Sequence, residues 1–261
     1  MRTGKRKDFS ELTIADDFIF GIVMREEKYC KTFLEIVLNI KIKKLVYSEN
    51  QKTIDIKKDA KSIRLDVYVD DDEGTVYNIE MQRSNESNIP KRSRYYQGMI
   101  DLNLIDKGVK YKNLPKSFVI FVCTFDYYER GWYVYKFENR CVDDINLTFG
   151  DGTTKVVLNS KGVYQQGILE KVKNLLLYID SGKVSDDYTI ELENKVKEVK
   201  KSEKWRREYM ALNIALEDER EQGKISAIIN LYKKGIINEE QASDELNITK
   251  EEFLKKVKHN K

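Results

Sequence analysis

Asp66, Glu80 and Gln82 are the residues whose types and spacing could do chemistry. In residues 63–69, Ile63, Leu65, Val67 and Val69 fall on one face of an extended strand, and Arg64, Asp66 and Tyr68 on the other. In residues 76–82, Tyr77, Ile79 and Met81 share one face, while Asn78, Glu80 and Gln82 share the opposite one. Residues 70–75 between them form a polar turn with Gly74 near its end. A three-residue loop, Asp72, Glu73 and Gly74, with the glycine in the left-handed conformation, sets Asp66 directly across from Glu80 and turns both apolar sets toward one core. Facing carboxylates repel by up to ~1 kcal/mol. A divalent cation between them removes the conflict, and two carboxylates with a side-chain or backbone carbonyl match the hard-oxygen preference of Mg²⁺ or Mn²⁺. Such a cation can bind a phosphate and lower the pKa of a bound water, which is metal-assisted hydrolysis. A half-exposed hairpin also alternates in this way, so spacing alone leaves open a plain solvent-facing surface.

Other chemistries are excluded by composition. The one histidine, His259, lies third from the end in a Lys-rich tail, which removes Ser-His-Asp triads, Cys-His dyads and His-rich zinc sites. Cys30, Cys123 and Cys141 are far apart and read as small buried apolar residues. The 47 basic and 44 acidic residues leave a net charge of +3, which permits a local basic groove without arguing for one. No apolar run approaches the ~20 residues of a membrane helix, and the basic opening leads into acids rather than an apolar segment. A cytoplasmic protein with no membrane contact is expected.

The elements that must position the three residues can be read on either side of them. Residues 16–39 carry Phe20, Val23, Met24, Phe33, Leu34, Val37 and Leu38 at helical spacing and predict one or two helices ending near Asn39. Residues 44–47 and 53–56 have weak strand character. Pro90 opens a helix that Gly108 closes. Residues 118–124 are a continuous apolar run, the mark of a strand buried on both faces, and residues 132–137 and 155–158 predict two more strands. Helices follow at 168–179, at 189–222 and in three short segments to the end. The polar stretch 180–186 is the expected boundary, giving a domain over residues 8–180 and a helical region over 181–261.

The string Arg64-Leu-Asp-Val-Tyr-Val69, the acidic turn, Tyr77-Asn-Ile-Glu-Met-Gln82 and Lys91-Arg-Ser-Arg-Tyr-Tyr96 resembles the Rpn family of recombination-promoting nucleases, also described as PD-(D/E)XK nuclease family transposases. The opening Leu12-Thr-x-Ala-Asp-Asp-Phe-x-Phe20 resembles the start of that family, and the likeness spans roughly residues 8–160. It implies an α/β (α+β) restriction-endonuclease-like core: a helix, three antiparallel strands, a helix and a further strand, forming a central mixed sheet flanked by helices. It also implies metal ligation by Asp66 and Glu80, with Gln82 at the motif's lysine position, in a Mg²⁺- or Mn²⁺-dependent endonuclease acting on DNA in recombination or mobile-element activity. Gln82 departs from the general motif: an amide can orient water by hydrogen bonding but carries no charge, so a neighbouring cation such as Arg64 or Lys91 is expected to compensate.

Further residues are candidates for supporting roles. Lys91, Arg92, Arg94 and Tyr96 on the helix after the hairpin, with Arg64, are candidate DNA contacts, since Arg and Tyr bind phosphate and stack on bases; a solvated basic helix face is the alternative. Glu35 is a candidate extra acid from the first helical segment. Gly150-Asp-Gly152 is a turn, because no Gly-Lys-Ser/Thr follows. Residues 240–253 have the look of a small helix-turn-helix, equally readable as a helical cap, and the C-terminal helices offer a surface for homodimerisation. Gln82 also keeps a second function class in view, a catalytically inactive nuclease fold used for binding DNA or protein.

Overall fold

The turn chemistry of residues 70–75 sets the register of the central hairpin. The protein is described here by a computed structural model covering residues 7–47, 53–54, 63–64, 66–85, 88–105 and 110–259. Helices α1 (Asp17–Met24) and α2 (Glu27–Leu38) lead into β1 (Leu45–Tyr47). Then come β2 (Thr53–Ile54), β3 (Ile63–Arg64), β4 (Val67–Asp71), β5 (Val76–Gln82), α3 (Ile89–Leu104), β6 (Ser117–Cys123), β7 (Val134–Phe137) and β8 (Thr153–Asn159). At the β4–β5 turn Gly74 has φ of 79°, a left-handed conformation that costs glycine little. The Asp71 carboxylate accepts the N–H groups of Glu73 and Thr75 at 2.9 and 2.8 Å. Val67 then pairs with Ile79 and Tyr68 with Asn78, a register that carries Asp66 opposite Glu80.

The six-stranded sheet runs in the order β1-β4-β5-β6-β8-β7. The β1-β4-β5 part is antiparallel, β5 and β8 are each parallel to β6, and β7 closes the edge antiparallel to β8. Crossing from β5 to a parallel β6 requires a long connection, which α3 supplies. Pro90 sits in the first turn of α3, where its missing N–H costs nothing, and the helix ends at Leu104; the expected stop at Gly108 lies outside the described residues. The expected strand over 63–69 is divided, because β3 pairs with β2 in a separate ribbon and the chain bends at Asp66 before β4.

Contrary to the one-sided core expected for the hairpin, both sheet faces are covered. Val69, Ile79, Ile120 and Val122 are buried on one face. On the other, Tyr68, Val76, Val119, Phe121, Tyr135 and Val157 form a cluster with Ile89, Met99 and Ile100 of α3. This second layer encloses the face that carries Asn78 and Glu80, which are 0% and 2% exposed. A solvent-facing surface at Glu80 is thereby excluded. Cys30 and Cys123 are buried as expected, whereas Cys141, in the loop after β7, is only half-buried.

Helices α4 (Glu170–Ser181) and α5 (Asp187–Lys201) complete a first compact unit, which ends at Lys201. The division falls after Lys201 rather than at the 180/181 junction expected from sequence. The reason is that α5 is part of the first core: Leu192, Val196 and Val199 are buried, and the Tyr188 hydroxyl donates to the Tyr29 carbonyl at 2.8 Å. The second unit comprises α6 (Glu203–Lys233), α7 (Glu239–Leu246) and α8 (Lys250–His259). Ser202 caps α6, so the charged stretch expected as one helix is two helices, and α6 absorbs the first of the expected short segments. Ile225, Ile229, Ala242 and Phe253 form this unit's core, with Leu246 and Ile248 against it. No helix among the described residues is long and apolar enough to cross a membrane.

Candidate active site

At the bend before β4 the two facing acids exchange backbone partners. The Asp66 N–H donates to Glu80 Oε1 at 3.3 Å, and the Met81 N–H donates to Asp66 Oδ2 at 3.0 Å. Each carboxylate is thus oriented by the other's strand. Burial first, and then the negative charge of Asp66, hold the Glu80 carboxyl well above the ordinary carboxylate range; the Asp66 N–H, Arg92 and Asn78 pull the other way.

The third residue of the constellation is held by α3. Arg92 Nη1 donates to Gln82 Oε1 at 2.5 Å and Nη2 donates to the Tyr96 hydroxyl at 2.9 Å. Arg92 Nη2 also lies 3.7 Å from Glu80 Oε2. The guanidinium sits 5.4 Å from the ring centres of both Tyr96 and Phe121, and those two rings are stacked. Arg92 and Tyr96 are one turn apart, so both reach the same strip of sheet. The Gln82 amide donates back to the Met81 carbonyl at 2.8 Å.

Arg92 therefore sets a guanidinium beside Gln82 and Glu80. Its fork faces Glu80, Gln82 and Tyr96 rather than standing on a solvated helix face. The helical period carries the signal: Ile89, Ser93, Gln97 and Ile100 are buried, and Arg92 and Tyr96 flank that stripe. Lys91 and Arg94 are exposed on the outer side of α3. The side chain of Arg64 lies outside the described residues. Glu35 is not brought to the site. Its Oε1 caps the chain after α2 by accepting the Ile42 N–H at 3.0 Å, and it lines a cleft of about 650 Å³ with Lys41, Lys171, Asp186 and Glu191.

A further pair, without a role in the sequence reading, anchors the end of β5. Asp16, 4% exposed, forms an ion pair with Arg83, the residue after Gln82. Its other oxygen accepts the Thr13 N–H at 2.8 Å and the Thr13 hydroxyl at 3.2 Å. The loop after β6 completes the anchoring, since the Thr124 N–H donates to the Gln82 carbonyl at 3.0 Å.

The donor set suits a hard divalent cation. Asp66 and Glu80 face each other as two oxygen-donor carboxyl groups, and since burial beside Asp66 favours the protonated form of Glu80, a cation held there would take that proton's place. Among the described residues no third acid, cysteine or histidine joins them.

A mixed sheet with an antiparallel meander, a crossover helix and two carboxylates at the bend defines a PD-(D/E)XK-type α/β nuclease fold. Residues 16–147 match the model of the PD-(D/E)XK nuclease family transposases, and the chain belongs to that family. Comparison with curated proteins and with solved structures returns no match.

Proposed function

We propose that this protein is a Mg²⁺- or Mn²⁺-dependent endonuclease that hydrolyses the DNA backbone, acting in recombination or mobile-element transactions in the cytoplasm. The observation that carries the reading is the pairing of Asp66 with the buried Glu80, each held by a backbone N–H of the other's strand. Asp66 and Glu80 would be the metal ligands, and a bound cation would supply charge neutralisation at a phosphate and a more acidic water. Gln82, fixed by Arg92, orients a water through its amide. Arg92 supplies the positive charge that the motif's lysine would bring, from a position where the Tyr96 and Phe121 rings hold its plane. Exposed Lys91 and Arg94 are suited to distant phosphate contacts.

Supercoiled plasmid incubated with Mg²⁺, Mn²⁺ or Ca²⁺, and with chelator, tests the reading. Metal-dependent nicking, abolished in Asp66→Ala and Glu80→Ala with folding intact, is expected. Equal cutting by both variants would overturn the assignment.

A second reading has its own support. Arg92 already places a cation beside Glu80 and Gln82, so the fold can be a catalytically inactive module that binds DNA or protein. Salt-dependent DNA binding without cleavage under every metal is its signature. Exposed Met210 and Ile214 on α6 favour self-association of the second unit, which sedimentation of the full chain would detect as a dimer.

A further inference from the structure

The face that carries Glu80 continues as a row of aromatic side chains toward β7. Tyr128 packs on Tyr135 at 4.9 Å between ring centres, and the Trp132 ring stacks on Tyr135 at 5.6 Å and an interplanar angle of 23°. Tyr135 is buried in the same cluster as Phe121 and α3, so Trp132 belongs to the side of the sheet that bears Asp66 and Glu80. It also belongs to the same end. Gln82 pairs with Cys123 and Cys123 with Asn159, whose Nδ2 donates to the Trp132 carbonyl at 2.8 Å. Three strand spacings separate Gln82 from this position, ~14 Å, within a few nucleotides' reach along one strand. Yet Trp132 is 48% exposed although its ring stacks on Tyr135.

The loop that presents Trp132 is built to hold it still. The Asp126 carboxylate accepts the N–H groups of Tyr128, Glu129 and Gly131 and the hydroxyl of Tyr135, at 2.6 to 3.2 Å. Gln165 Oε1 accepts the N–H groups of Tyr133 and Val134 at 3.1 and 2.9 Å. The Val163 and Tyr164 N–H groups both donate to the Gly131 carbonyl. A Cβ at Gly162 would lie 2.5 Å from the Tyr133 ring, so the two segments meet at a distance only glycine allows.

We propose that Trp132 is a stacking platform for an unpaired nucleobase a few nucleotides from the scissile phosphate, so that the favoured substrate is DNA with single-stranded character. This rests on the nuclease reading above. A flat ring with one face backed by another ring offers the π-surface that any base can cover. Within a duplex the neighbouring bases already cover that surface, so only an unpaired or terminal base can stack on the tryptophan. Exposed Arg130 on the same loop adds a cation beside the platform.

The chain has two tryptophans, so Trp205→Phe leaves Trp132 as the sole reporter. With Ca²⁺ present, oligothymidylate is expected to quench its emission, and the same strand paired with oligodeoxyadenylate to quench it far less. Affinity for the single strand should weaken about tenfold or more in Trp132→Ala and Trp132→Leu, return in Trp132→Phe, and stay unchanged for duplex. Equal single-strand affinity in parent, Trp132→Ala and Trp132→Leu, while the parent still nicks plasmid, overturns the platform and leaves the nuclease reading standing. Quenching that persists while Asp66→Ala and Glu80→Ala cut normally leaves Trp132 a single-strand contact but overturns the catalytic assignment and, with it, the platform's place near the cleaved phosphate.

Discussion

Glu80 is the residue at which stability and chemistry oppose each other. Its folded carboxyl titrates above the ordinary unfolded value of about 4.3. The folded state therefore holds the proton more tightly, and the stabilisation is complete below the unfolded value and is lost as pH rises through the folded one. Metal-free protein should lose resistance to urea across that window, and Glu80→Gln should remove the dependence and be at least as stable at neutral pH. The same variant should neither cut DNA nor gain thermal stability from Mg²⁺, because a ligand that binds only the folded state stabilises it. A parent whose urea midpoint is flat across that window contradicts the argument. Arg92 is the counterpart. Arg92→Ala leaves Glu80 and Gln82 without their guanidinium and should cost about 1–3 kcal/mol in urea unfolding. Arg92→Lys keeps the charge but not the fork that spans Gln82 and Tyr96, so plasmid nicking should fall sharply while much of the stability returns.

At the scale of elements, the β4–β5 turn and α3 do different work. Gly74 at φ 79° permits the register that sets Asp66 across from Glu80. Gly74→Val should destabilise the fold by about 1–2 kcal/mol, because a β-branched residue resists the left-handed region. A cost near zero by chemical denaturation would mean that the turn does not hold the register. Helix α3 covers the acid face, and Ile100 is fully buried in that layer. Ile100→Ala should cost about 2–5 kcal/mol, and it should weaken cleavage as well as stability, since α3 carries Arg92. The turn was legible in residues 72–74, where glycine position and apolar alternation agree. The covering helix was legible as a helix, but its facing was not. Arg92, Ser93 and Gln97 look like surface residues in sequence, and only their place against β5 and β6 turns them inward.

At the scale of the whole chain, the first unit extends to Lys201 because α5 seals it. A fragment ending at Lys201 should unfold cooperatively, whereas one ending at Asp180 loses the buried side chains of Leu192, Val196 and Val199 and should be open to protease. Equal protease resistance of the two fragments would move the boundary back to residue 180. The glycine and polar residues at 180–186 look like a linker locally. They end α4 and form the short connection to α5 within one core, and nothing in their composition distinguishes the two cases.

Local sequence determined whatever depends on nearest neighbours along the chain: the strand alternation, the left-handed turn at Gly74, the start of α3 at Pro90, and so the pairing of Asp66 with Glu80. Tertiary structure decided what depends on contacts between distant residues. It buried Glu80 under α3, turned Arg92 onto Gln82, kept Glu35 in a separate cleft, and tied Asp16 to Arg83. Side-chain period reports which residues share a face, but burial and charge pairing depend on what another segment lays over that face.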